Sequence, residues 1–80
     1  MEMERKGIIE VLALIFPNQT IDIGDDDSFI DKLGMDSMSF VSFVIGIESK
    51  FDIEVPDEYS LPSKLDTLNK TYDLLRRERG

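Results

Sequence analysis

The segment Leu33-Gly34-Met35-Asp36-Ser37-Met38 places a serine where an irregular stretch turns into a strongly apolar one with helical spacing. A helix start offers unpaired backbone N–H groups and a partial positive charge, and both suit a phosphate ester carried on a side chain there. The plainer role for Asp36 or Ser37 is that of an N-cap, and the residues by themselves leave both roles open. Nucleophilic catalysis by Ser37 is excluded. The chain has no histidine to serve as its base, and Gly34-Met35-Asp36-Ser37 is not a nucleophile-elbow sequence.

The acids between Asp22 and Asp36 raise a second chemistry, calcium binding. A twelve-residue EF-hand loop starting at Asp25 would need an oxygen ligand at Phe29, a glycine at Ile30 and a bidentate glutamate at Asp36, so the pattern fails at all three. Cys is absent along with His, which removes disulfides, thiolate nucleophiles and the usual zinc ligands. No catalytic residue is assigned, and no metal site. With a formal net charge of −8 the chain is repelled by nucleic acid and by anionic bilayers, whereas basic protein surfaces attract it. The apolar stretch from Ile8 to Phe16 is broken by Glu10 and closed by Pro17, which fits neither a signal peptide nor a membrane span. A cytoplasmic location and no membrane insertion are therefore expected.

Eighty residues suffice for one modest core, so a single domain over 1–80 is expected. Ile8, Ile9, Val11, Leu12, Ile15 and Phe16 repeat with helical spacing and predict a first helix over about residues 2–16, with Gly7 weakening it. Residues 17–35 read as a long loop pinned by Ile21, Ile23, Phe29, Ile30 and Leu33, in which Ser28 and Asp31 could cap a short helical turn. From Ser37 to Phe51, residues Phe40, Phe43, Val44, Ile47 and Phe51 gather on one face, assigned to the core. Met38, Val41 and Ile45 gather on an adjacent face that is left at least partly exposed. A short third helix is predicted over about 57–61, between Pro56 and Pro62. A last helix follows over about 64–78, with Ser63 and Asp66 as its capping box. The expected core contains Ile8, Leu12, Ile15, Phe29, Phe43, Ile47, Phe51, Leu68, Tyr72 and Leu75.

Taken in order, the acidic short chain, the long loop, Leu-Gly-Met-Asp-Ser-Met, the helix ending at Phe51-Asp52-Ile53 and then Val55-Pro56-Asp57-Glu58 resemble the acyl carrier protein family over nearly the whole length. The resemblance implies an all-α, four-helix carrier bundle with a long first loop and a short third helix. It implies no enzyme activity, but a covalent 4′-phosphopantetheine on Ser37, attached by a separate phosphopantetheinyl transferase. Asp36 would orient that transferase and the serine, and Gly34 would give the close turn that exposes both. Met38, Val41 and Ile45 would form the apolar patch touched by partner enzymes, with Glu48, Asp52, Glu54, Asp57 and Glu58 as acidic contacts that raise encounter rates. The partners implied are the transferase, an acyl- or aminoacyl-loading ligase or transferase, and downstream synthase enzymes, acting on a monomer.

One departure bears on the pathway. Carriers of general fatty acid synthesis usually have several acids along this helix, whereas here the arc reads Ser39, Ser42, Ser49 and Lys50. A dedicated route is expected instead: polyketide, nonribosomal peptide, aminoacyl or specialised lipid. The competing reading is an unmodified interaction module, in which Met38, Val41 and Ile45 dock a partner while Ser37 stays a plain cap.

Overall fold

The computed structural model describes residues 2–79, and among them every regular element is helical. Helix α1 runs Glu2–Ile15, with Glu2 and Glu4 beside its positive end. Its buried residues Ile8, Val11 and Leu12 are spaced by three and four, so one stripe faces inward. Short α2, Phe29–Leu33, lies within the expected long loop. Helix α3, Ser37–Phe51, buries Phe40, Phe43 and Ile47, and α4, Leu68–Arg79, closes the bundle with Leu68, Tyr72, Leu74 and Leu75. Among the described residues no helix is long and apolar enough to cross a membrane.

Two glycines set the contact between α1 and α3. A Cβ on Gly46 would lie 2.6 Å from Val11 Cγ1, and one on Gly7 would lie 2.7 Å from Phe51 Cζ. Gly7 therefore does more than weaken α1: its missing side chain is the seat for the Phe51 ring. Paired this way, residues 7 and 11 face residues 51 and 46, so the two helices run antiparallel. At the centre the Phe29 and Phe43 rings meet edge to face at 5.3 Å, both fully buried.

Several expectations need correction. Ile15, Val44 and Phe51 are half-buried and pack against the core from its edge, Ile15 and Phe51 as the last residues of their helices. The core also takes in Met35 and Leu65 from irregular segments, while Ile23 and Leu33 pin the loop as expected and Ile30 stays exposed. The helix expected over 57–61 is two 3₁₀ turns, Asp57–Tyr59 and Pro62–Lys64. Pro62 opens the second turn, as its fixed φ permits. Helix α4 starts at Leu68 rather than 64, and Thr67 caps it through a bond from the Lys70 N–H to Thr67 Oγ1 at 3.1 Å. Asp66 forms no box with Ser63. Its oxygens accept from Lys70 Nζ at 2.7 Å and from the Ser28 hydroxyl at 3.1 Å. Ser28 does cap α2, accepting from the Ile30 N–H, but without Asp31.

The long loop is tied to both α1 and α4. Arg5 donates to the Ile23 carbonyl at 2.9 Å and pairs with Asp25 at 3.1 Å. From α4 the Asn69 N–H donates to the Asp25 carbonyl at 3.0 Å, and its side-chain amide to Asp26 at 2.7 Å. The Phe29 N–H donates to the Asp66 carbonyl at 2.7 Å. Asp27 accepts from the Gly24 N–H at 2.8 Å. The acidic run thus closes turns and ties the loop to α1 and α4.

Candidate functional site

The loop delivers its last residues to the start of α3 through one glycine. Gly34 adopts φ +75°, ends α2, and donates its N–H to the carbonyls of Ile30 and Phe29. A Cβ there would meet nothing within 4 Å, so the constraint is the left-handed backbone itself, which glycine alone adopts without cost. Met35 follows, buried, and acts as the anchor that presses the turn against the core.

Asp36 is the N-cap of α3. Its Oδ1 accepts from the Ser39 N–H at 2.9 Å and from the Ser39 hydroxyl at 2.9 Å, while the Asp36 N–H donates to Ser39 Oγ at 2.8 Å. The result is a reciprocal capping box with serine in the position that glutamate or glutamine commonly fills. Hydrogen bonds from the Ser39 N–H and hydroxyl hold the Asp36 carboxyl below its ordinary carboxylate range.

Ser37 is thereby released from capping. It is the first residue of α3, exposed, and its hydroxyl has no hydrogen-bond partner among the described residues. The two roles that the sequence left open at 36 and 37 are separated: the cap is Asp36 with Ser39, and Ser37 is left with a free hydroxyl facing solvent. A phosphate ester there would sit at the positive end of a fifteen-residue helix, beside a carboxylate already turned toward its own partners. These residues fit a covalently attached phosphopantetheine.

Along α3 from Ser37, Met38, Val41 and Ile45 are exposed by 82, 56 and 59%, which is far beyond what a buried stripe would show. Three apolar side chains on one exposed arc beside a free hydroxyl form a surface suited to contact. The acidic candidates differ among themselves. Glu48 is half-buried and its Oε2 accepts from the Val55 N–H at 2.9 Å, which fastens residues 53–55 to α3. Glu58 pairs with Arg77 at 3.2 Å, and Arg77 also donates to the Tyr59 hydroxyl and lies 5.7 Å from that ring. Asp52, Glu54 and Asp57 are exposed and make no ion pair among the described residues. Asp52 ends α3 at φ 54°, a left-handed cap position. On the opposite side of α3, Lys50 is taken up by Glu10, and that hydrogen bond lowers the Glu10 carboxyl below its ordinary range.

Reasoning from sequence missed Ser39. The signal was present, since Asp36 and Ser39 stand in the N-cap and N3 positions before an apolar run, but serine at N3 is a weak form of that pattern.

Residues 6–75 match the family described as "Phosphopantetheine attachment site". The chain is 39% identical over 56 residues to the acyl carrier protein of Buchnera aphidicola subsp. Acyrthosiphon pisum (strain Tuc7), covering 70% of this chain and 68% of that one. It is 37% identical over 62 residues to the acyl carrier protein of Tropheryma whipplei (strain Twist), covering 72% of this chain and 76% of that one.

Proposed function

The chain belongs to the acyl carrier protein family, carries a covalently attached 4′-phosphopantetheine and is not an enzyme; from that premise we propose that the arm is attached to Ser37 and that residues 1–80 act as one carrier domain. The observation that supports Ser37 is its release from capping: a solvent-facing hydroxyl at the first turn of α3, with the N-cap work done by Asp36 and Ser39. When bound, the arm supplies a thiol on which cargo is held as a thioester. Ser37 oxygen acquires it by displacing adenosine 3′,5′-bisphosphate from coenzyme A: a new P–O bond forms, the pyrophosphate bridge breaks, and the hydroxyl proton is lost. Asp36 fixes the direction of α3 and so of the serine. Gly34 lets the chain turn tightly enough to hold both at the surface.

A carrier works by tethering, which replaces a diffusing substrate by one at high local concentration near each docked enzyme. Met38, Val41 and Ile45 form the apolar contact for those enzymes, with Asp52, Glu54 and Asp57 as steering charges. Glu48 and Glu58 contribute less to steering, because both are engaged within the chain. The partners are a phosphopantetheinyl transferase, a loading ligase or transferase, and synthase enzymes in the cytoplasm.

The pathway is a dedicated one rather than general fatty acid synthesis. Ser39, Ser42 and Ser49 stand along α3 where acids would meet basic enzymes, and Glu48 is turned toward Val55. Two measurements decide these points. Intact mass after incubation with coenzyme A and a broad-specificity transferase should rise by one phosphopantetheinyl group in the parent and stay unchanged in Ser37→Ala. An unmodified parent would return the reading to a plain interaction module. Turnover of the modified protein by purified fatty-acid synthase enzymes should fall well below that of a housekeeping carrier, and equal turnover would favour the general pathway.

A further inference from the structure

Positive charge is not spread evenly along this acidic chain. Residues 1–59 hold four Lys or Arg against fourteen Asp or Glu, whereas residues 60–80 hold five against three. The fold gathers four of those five cations around one open trough of about 540 Å³, lined by Tyr59, Lys64, Lys70, Asp73, Arg76 and Arg77. Lys64 belongs to the second 3₁₀ turn, Lys70 to the first turn of α4, and Arg76 and Arg77 to its later turns.

Only part of this patch has a cause inside the fold. A helix dipole favours cations near its C-terminal end, which accounts for Arg76 and Arg77, but it disfavours a cation in the first turn, where Lys70 stands. Lys70 is matched by Asp66 at 2.7 Å, Arg76 by Asp73 at 2.8 Å and Arg77 by Glu58 at 3.2 Å. Lys64 is exposed and makes no ion pair among the described residues. The three paired cations are 47, 65 and 59% exposed, and surface pairs of this kind hold weakly, so carboxylates from outside can take the place of the chain's own.

We infer that this trough is a docking site for an acidic linear segment of a partner protein, an inference that does not depend on Ser37. Charge complementarity selects the occupant. An extended anionic surface, bilayer or nucleic acid, would also meet the acidic remainder of the chain and be repelled, whereas a narrow segment meets the patch alone. Two copies of the chain, each at −8, repel one another in the same way. A small anion finds all four cations exposed, without the desolvation that would strengthen its hold. Two turns of α4 separate Lys70 from Arg77, roughly 10 Å, and carboxylates two residues apart on an extended strand stand about 7 Å apart, so a short acidic run spans the row. Half-buried Tyr59, with Arg77 5.7 Å from its ring, gives the stems of such side chains an apolar surface to lie on. None of the lining residues belongs to α3 or to the turn at Gly34, so the site is separate from Ser37 and from the arc Met38, Val41 and Ile45. A carrier held there stays close to its partner while its working face serves other enzymes.

The test titrates the full, unmodified chain at low ionic strength with deca-glutamate or deca-glutamine and follows amide NMR shifts. Shifts specific to deca-glutamate should cluster at Lys64, Lys70, Asp73, Arg76 and Arg77. Lys64→Gln combined with Arg76→Gln, two exposed substitutions, should raise the Kd about tenfold while the remaining spectrum keeps its folded pattern. Deca-glutamate shifts that are absent or centred elsewhere would overturn the inference. So would an equal response to tripolyphosphate, which would mark a site for small phosphate anions, or binding to phosphatidylglycerol vesicles through the same residues. Shifts at the patch on concentrating the protein alone would likewise replace the partner segment by a second copy. Failure of Ser37 to accept the arm would leave every one of these readouts unchanged.

Discussion

Gly46 offers a test of the packing that sets the orientation of α3. In an isolated helix, Gly→Ala gains about 1 kcal/mol. Here the new Cβ would meet Val11 Cγ1 at 2.6 Å, roughly 1 Å inside an ordinary carbon–carbon contact. Val11 is β-branched, sits in a helix with one favoured rotamer and is buried, so the strain must be relieved by moving the helices apart. Overpacking of this kind costs about 2 kcal/mol, which leaves Gly46→Ala destabilised by about 1 kcal/mol. Removing the obstacle reverses the sign. In a Val11→Ala background, itself weakened by about 2 kcal/mol through lost methyl groups and the space they leave, the clash is gone and the helix gain remains. Thermal unfolding followed by circular dichroism at 222 nm should show Gly46→Ala lowering the midpoint by about 4–8 °C in the parent and raising it by a similar amount in Val11→Ala. The corresponding coupling is about 2 kcal/mol. Equal shifts of the same sign in both backgrounds would refute the reasoning. Gly7→Ala is the internal control: its Cβ meets the tip of a half-buried Phe51 ring that can swing aside, so its midpoint should fall less than that of Gly46→Ala.

The Asp36 box should have a pH signature. Its carboxyl is held below the ordinary range in the folded chain, so its stabilisation is complete above the unfolded pKa of about 3.9 and is lost as pH falls through the lower folded value. The midpoint difference between parent and Asp36→Ala should be constant from neutral pH to about 5 and shrink in more acid solution; a difference unchanged at the acid end would remove the cap from the account. A net charge of −8 on a body of 33 × 26 × 21 Å implies self-repulsion reaching across the whole molecule at about 0.01 M ionic strength, where the screening length is about 30 Å. Salt or magnesium should therefore raise the melting midpoint, and a midpoint that falls would mean that ion pairs such as Arg5–Asp25 outweigh the repulsion.

How far the sequence carried these conclusions depended on distance along the chain. The buried stripes of α1 and α3 and the exposed arc Met38, Val41, Ile45 are properties of local spacing, and a helical wheel suffices to find them. The turn at Gly34 was implied by the resemblance, and the left-handed backbone there agrees with it. What escaped was decided by partners far away. Asp66 turns from Ser63 to Ser28 because the loop lies beside it, and Leu65, outside α4, is fully buried all the same. Gly7 and Gly46 look alike in sequence as helix weakeners, and only the neighbouring helix shows which contact each permits. At the site, position fixed Ser37 as a candidate, but its release from capping depended on Ser39.

The ties between the long loop and α4 bear on when the carrier becomes competent. Asp25 and Asp26 bond to Asn69, and Ser28 and Phe29 bond to Asp66, so the loop that sets Ser37 in place is closed by residues about forty positions later. Such closure spans as much chain as the pairing of α1 with α3, and it waits on residues 66–69, which are made after Ser37. A chain emerging from the ribosome exposes Ser37 well before Asn69, yet in those moments the serine belongs to a floppy strand rather than to a fixed helix start. A transferase that reads the folded shape would ignore the unfinished chain, and modification would then mark carriers whose assembly is complete.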